Sequence, residues 1–128
     1  MSAPVVVISH HKIKEGKLED YLQVYREVVE EIKAAKPGTL THSFYTNEDG
    51  TEVSHVHFIL DADAMDAHLQ GLDDRTDLAY QYIEPRAMEI YGPLSQEAMG
   101  LFRKIEASGV KVTFYPHYHA GYMRLASG

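Results

Sequence analysis

The sequence predicts an α+β fold: a ferredoxin-like split βαβ with one antiparallel sheet and extra helices between strands three and four. Three observations predict it. The chain opens on a β-branched run, Val5 to Ile13. A strongly amphipathic stretch, Lys17 to Lys36, comes next. Two alternating runs then flank Asn47-Glu48-Asp49-Gly50, and Asp-Gly between alternating runs is a strong hairpin signal.

Each element has its own reason. Both alternating sets of Val5–Ile13 are partly apolar, so this strand is expected at the sheet centre, covered on two faces. Glu15-Gly16 ends it. Within Lys17–Lys36, Leu18, Tyr21, Leu22, Tyr25, Val28, Val29 and Ile32 form one helical stripe, with acidic and basic side chains opposite. Pro37-Gly38 stops that helix. Thr39–Thr46 and Thr51–Leu60 are the hairpin strands. Asp61 is a natural N-cap for a helix running to about Leu72, with Asp63 in its first turn. Asp73-Asp74-Arg75 reads as a break. Thr76–Tyr91 reads as a second helical stretch kinked near Pro85, and Ser95–Ala107 as a third. Val110–Tyr115 is the last strand, and Tyr118–Leu125 extends or follows it. The whole is one domain, residues 1–128, with a helical insertion over about 71–109.

Composition narrows the function classes. The chain has 128 residues, enough for one domain with a real core. Its 12 Lys+Arg against 19 Asp+Glu give a net charge of −7, which repels phosphate backbones, so nucleic acid is not an expected partner. There is no cysteine, which excludes disulfides, thiolate metal sites and a cysteine nucleophile. A cytoplasmic location is compatible with that. The apolar run at the N-terminus is too short for a signal peptide or a membrane span, so no membrane partner is expected. No phosphate loop, dinucleotide fingerprint or nucleophile elbow occurs, and no cofactor is expected.

Strand alternation places the candidate chemistry. On Thr51–Leu60 one face carries Val53, His55, His57 and Ile59, and the other carries Ser54, Val56, Phe58 and Leu60. With both faces apolar, the helices cover one. A second copy of the chain is expected on the other, giving a homodimer through the sheet. Loops of the long insertion are the alternative cover. An even-length hairpin loop puts His42 on the face of His55 and His57, beside Leu40 and Phe44. A two-residue loop pairs His42 with His57, and a four-residue loop pairs it with His55. Imidazole suits proton transfer near neutral pH, and three together could also ligate a divalent metal. Well-satisfied interior histidines are the plain alternative. His10 and His11 point to opposite faces, His68 caps or packs, and His117 and His119 flank Tyr118 near the C-terminus. Tyr21 and Tyr25 lie on the buried stripe of the first helix, where tyrosine is ordinary core.

Three segments resemble the antibiotic biosynthesis monooxygenase family of dimeric α+β barrels. They are Lys12-Ile13-Lys14-Glu15-Gly16-Lys17 entering the first helix, Lys36-Pro37-Gly38-Thr39-Leu40 before the second strand, and Asp61-Ala62-Asp63-Ala64-Met65-Asp66-Ala67-His68-Leu69. Together they span residues 5 to about 70, and residues 71–109 exceed the short family linker. The resemblance implies sheet-to-sheet homodimers and a pocket between sheet and helices. It also implies cofactor-independent oxygenation of electron-rich phenols or quinols in some members and haem degradation in others. A strand-three tryptophan frequent in the family falls on Ile59, a glutamate two residues earlier on His57, and a strand-one asparagine of haem-degrading members on Ser9. No haem-ligating histidine occurs in Thr76–Tyr91, which argues against haem degradation.

The expected function is therefore a small cofactor-free monooxygenase on an aromatic, polyketide-like or quinol substrate. His57 or His55 would be the base that removes a phenolic proton, His42 the orienting residue and Ser9 a hydrogen-bond donor. Ile59, Tyr25 and Phe44 would be further substrate contacts. A non-catalytic small-ligand binder and a His-ligated metal protein are the alternatives, because fold alone does not decide among them.

Overall fold

The structure, a computed structural model, describes residues 3–124. Strand β1 (Val5–Ile13) leads into helix α1 (Leu18–Ala35), strands β2 (Thr39–Thr46) and β3 (Glu52–Ile59), and helices α2 (Ala62–Leu69) and α3 (Leu72–Ala79). Strand β4 (Ile83–Tyr91), helix α4 (Gln96–Ala107) and strand β5 (Lys111–Tyr115) complete it. The sheet order is β2-β3-β1-β4-β5, so β1 is the central strand, as its two apolar sets require.

Local chemistry accounts for the element ends. The Asp61 carboxylate accepts from the Ala64 amide at 2.8 Å and starts α2. The Ser95 hydroxyl accepts from the Ala98 amide at 3.0 Å and starts α4. The same hydroxyl donates to Asp66 at 2.7 Å, which ties α4 to α2. Gly71 turns the chain from α2 into α3 at φ +80°, a left-handed conformation that glycine adopts at no steric cost.

Two expectations are corrected. The fourth strand of the split βαβ is Ile83–Tyr91, which the sequence reading made part of a kinked helix over Thr76–Tyr91. It pairs antiparallel with β1, and the register shifts by one residue between His10 and His11. That extra residue falls at Pro85-Arg86, so the apolar positions change parity along the strand and mimic a helical spacing. The proline sits beside this bulge, where its missing N–H costs little. The region 71–109 is accordingly not wholly helical. In addition, Val110–Tyr115 supplies a fifth strand, parallel to β4, so the sheet is mixed rather than purely antiparallel. Asp73-Asp74-Arg75 lies inside α3 and does not break it. Residues 116–124 form no strand, and Leu125 lies outside the described residues.

The core divides in two. At one end of the sheet Val5, Val7, Ile59 and Ile90 pack with Met65 of α2 and Phe102 of α4. At the other, Ile13, Val53 and Ile83 pack with Tyr21, Tyr25, Val28 and Ile32 of α1 and Ala79 of α3. Between these clusters, the helix-facing positions of β1 are Ser9 and His11, and those of β3 are His55 and His57. A polar band thus crosses the middle of a buried sheet face. Among the described residues nothing covers the opposite face. Phe58, Leu60 and Tyr115 are 37%, 50% and 51% exposed, so the insertion does not lie over them.

Candidate functional site

The polar band borders a cavity of about 90 Å³ between the sheet and the helices. Five imidazoles line it: His11 from β1, His42 from β2, His55 and His57 from β3, and His68 from α2. The hairpin register pairs His42 with His57, the arrangement expected of a two-residue loop. Ser9 and Tyr25 also line the cavity. Ile59 and Phe44 do not. Ile59 is fully buried in the apolar cluster at one end, and the Phe44 ring stands edge-on to Tyr25 at 5.1 Å, behind the wall. The roof is mostly α2 and α3, to which α1 adds only Tyr25.

The rings are in mutual contact. His42 meets His57 edge-on with centroids 4.1 Å apart, and His57 lies 5.1 Å from His68. His55 stacks on Tyr25 at 4.4 Å and lies 4.6 Å from His11. Two tyrosines from successive turns of α1 reach down to this layer. Tyr21 is hydrogen-bonded to Nε2 of His55, and Tyr25 to Nε2 of His42 at 2.8 Å. Burial pushes both phenols well above their ordinary pKa, so both remain protonated. Neither hydroxyl has another acceptor among the described residues, so each donates to its imidazole. A neutral ring that accepts at Nε2 carries its proton on Nδ1.

Every imidazole of the cavity is held neutral. Burial lowers His11 and His42 to about 4 and His68 to about 3, and the nearby Arg75 charge adds to the effect on His42 and His68. His55 and His57 are pushed well below the usual value by burial first and by neighbouring imidazoles second. Among the described residues three buried ring nitrogens have no hydrogen-bond partner: Nδ1 of His11, Nδ1 of His42 and Nε2 of His57. Each unsatisfied group of this kind costs roughly 1–3 kcal/mol. Their residues all line the cavity, so a polar group of a guest that reached these nitrogens would satisfy them. Nδ1 of His42 is a donor, and Nε2 of His57 can accept. A ligand hydroxyl fits such a pair by accepting from one and donating to the other.

A metal fits less well. Tyr25 occupies Nε2 of His42, and the Thr39 hydroxyl bonds Nδ1 of His68 at 2.8 Å. Among the described residues no group of three His, Asp or Glu side chains is placed to hold a metal ion. His10 lies on the other sheet face, bonded to Ser54 at 2.8 Å and Glu89 at 3.0 Å, and His117 and His119 are exposed beyond β5.

Sequence reasoning did not single out Arg75, His11, His68 or Tyr21 for the site. The signal for His11 was present, since it stands two residues from Ser9 on one strand. His68 follows Met65 on the buried side of α2. Arg75 gave no local signal, because its segment resembles a loop.

A profile of the family described as antibiotic biosynthesis monooxygenase matches residues 4–73. No curated protein sequence matches the chain. Among solved structures, MupZ from Pseudomonas fluorescens is similar at 23% identity and a TM-score of 0.72, over 96% of this chain and 91% of that one. The cofactor-independent oxygenase SnoaB from Streptomyces nogalater is similar at 15% identity and a TM-score of 0.58, over 69% of this chain and 90% of that one. A conserved protein from Methanosarcina mazei Go1 is similar at 15% identity and a TM-score of 0.60, over 69% and 90%. These likenesses establish the fold.

Proposed function

The chain belongs to the antibiotic biosynthesis monooxygenase family, and from that premise we propose that it is a cofactor-independent monooxygenase acting on a hydroxylated aromatic, polyketide-like or quinol substrate. The observation that carries this reading is His57, which lines the cavity and whose buried Nε2 has no hydrogen-bond partner among the described residues. His57 takes the phenolic proton of the substrate, and Nδ1–H of His42 donates to the same oxygen. The resulting anion is electron-rich enough to pass an electron to dioxygen, which is the oxidant. One oxygen atom enters the product as a carbonyl and the other leaves as water. Because burial holds His57 neutral, its lone pair is available at neutral pH. The imidazolium it becomes has the substrate anion beside it as counter-ion. His55 is the weaker candidate for the base, since Tyr21 already occupies its Nε2. Ser9 and Tyr25 contact the substrate, while Phe44 and Ile59 support the wall from behind.

Oxygen uptake with a panel of hydroquinones and anthrones tests the reading. His57→Ala should lower turnover at least roughly a hundredfold, the usual scale for a general base. Full turnover in that variant removes His57 from its role. No uptake with any substrate, beside tight binding, favours the second reading: a non-catalytic small-ligand binder on the same scaffold. The depressed basicity of every imidazole in the wall is the observation on that side.

The apolar outer face of the sheet is, in this proposal, the surface of a homodimer. Its support is chemical: Val6, Phe58, Tyr91 and Tyr115 lie in one cross-strand row, and the Tyr91 and Tyr115 rings stack at 4.8 Å.

A further inference from the structure

Arg75 is a half-buried guanidinium in the cavity wall. No ion pair among the described residues involves it. Its terminal nitrogens donate to the carbonyls of His68 at 2.6 Å and Gln70 at 2.9 Å, where α2 ends. A guanidinium has five N–H groups in a planar fork. Those two bonds leave three N–H groups without a protein acceptor among the described residues. The two carbonyls also fix the fork in place, so its orientation costs a ligand little.

The rest of the wall does not neutralise this charge. No Asp or Glu lines the cavity, although the chain carries 19 of them. Asp73, Asp74 and Asp77 share α3 with Arg75 but are exposed, where water and salt weaken their field. The imidazoles facing Arg75 contribute no charge when neutral. The cavity is thus a positive spot inside an acidic protein, and the half-buried fork is the group a planar anion meets bidentately.

We infer that Arg75 makes the cavity a site for an anionic ligand: a small hydroxyaromatic or enolic acid whose carboxylate sits on the guanidinium while its hydroxyl lies between His42 and His57. The inference rests on the cavity being the ligand site, as proposed above, and not on the chemistry that follows there. It narrows the substrate class to acids, and it gives Arg75 a binding role besides its closure of α2.

The test is binding without turnover. Benzoate and benzamide have the same shape and differ in charge. Titrated under nitrogen into the full-length chain, with calorimetry and histidine ring NMR as readouts, benzoate should bind at least tenfold tighter than benzamide. It should also move the ring signals of His42 and His57. Arg75→Gln should abolish the preference, and Arg75→Lys should keep part of it through the retained charge. Equal binding of the two probes, no binding of either, or perturbation confined to another surface overturns the inference. So does an unchanged preference in a folded Arg75→Gln protein. Should that variant not fold, the wild-type ratio and Arg75→Lys decide. Failure here is separable from failure of the oxygenase reading. Oxygen uptake on neutral hydroquinones without a benzoate preference sinks only the charge argument. A benzoate preference, with no uptake on carboxylated hydroquinones either, sinks only the oxygenase.

Discussion

Acidification is the perturbation that the buried imidazoles answer most directly. His11 and His68 are each 4% exposed, and burial lowers them to about 4 and about 3 in the folded chain. In an unfolded chain an imidazole titrates near 6.5, at about that value. The folded values are depressed, so the neutral form is the one the fold favours. Above pH 6.5 both states are neutral and stability is at its full value. Below it, the unfolded chain takes up protons that the folded chain refuses, and stability falls until the folded value is reached. Each ring loses about 1.36 kcal/mol per pH unit in that window. At pH 5 this is about 2 kcal/mol for one ring and about 4 kcal/mol for the pair. His42, His55 and His57 act in the same direction. A domain of this size has about 5–15 kcal/mol in total. Urea unfolding followed by circular dichroism at pH 7.5, 6.5, 5.5 and 5.0, values chosen to bracket the imidazole pKa of about 6.5, measures the slope. His68→Gln removes one titrating ring and should flatten the slope by about 1.4 kcal/mol per unit. A wild-type unfolding free energy that stays level from pH 7.5 to 5.0 refutes the claim that these rings are buried in neutral form.

Three further outcomes follow from the packing. Tyr21→Phe strips the hydroxyl that satisfies His55 and should cost about 1–3 kcal/mol by denaturant unfolding, and an unchanged midpoint contradicts the bond. Gly38→Ala places a Cβ 2.5 Å from that of Ala64, forcing α2 off the start of β2. A loss of about 1–3 kcal/mol is expected, and a neutral effect in thermal melts would mean that the close approach is absent. Phe58→Lys puts a charge in the apolar row at one end of the outer sheet face and should shift sedimentation from dimer to monomer. A wild-type chain that is monomeric at all concentrations rejects the interface itself.

Much of this architecture could be read from local pattern. The stripe from Leu18 to Ile32, the Asp61 cap and the Asp-Gly hairpin are short-range signals, and α1, α2 and the β2–β3 pair follow them. The imidazole face followed from strand parity together with an even-length hairpin loop. Strand β4 was illegible because its bulge is set by pairing with β1, a tertiary event that shifts Ile83 and Ile90 onto one face across an odd count of residues. The site was half legible for a similar reason. His42, His55 and His57 meet through one hairpin, whereas His68, Arg75 and Tyr21 arrive from helices whose placement no local pattern encodes. Phe44 was placed at the hollow as an apolar neighbour on the imidazole face and Ile59 through the family resemblance, and packing put both behind the wall.

The division of the apolar interior into two halves has a mechanical corollary. The seam between them contains imidazole contacts and an unfilled volume bordered by apolar side chains of both halves, and such voids are what hydrostatic pressure eliminates. Compression should therefore loosen this protein at the seam first. A guest molecule wedged there would act as a keystone, making the two halves resist squeezing as one body.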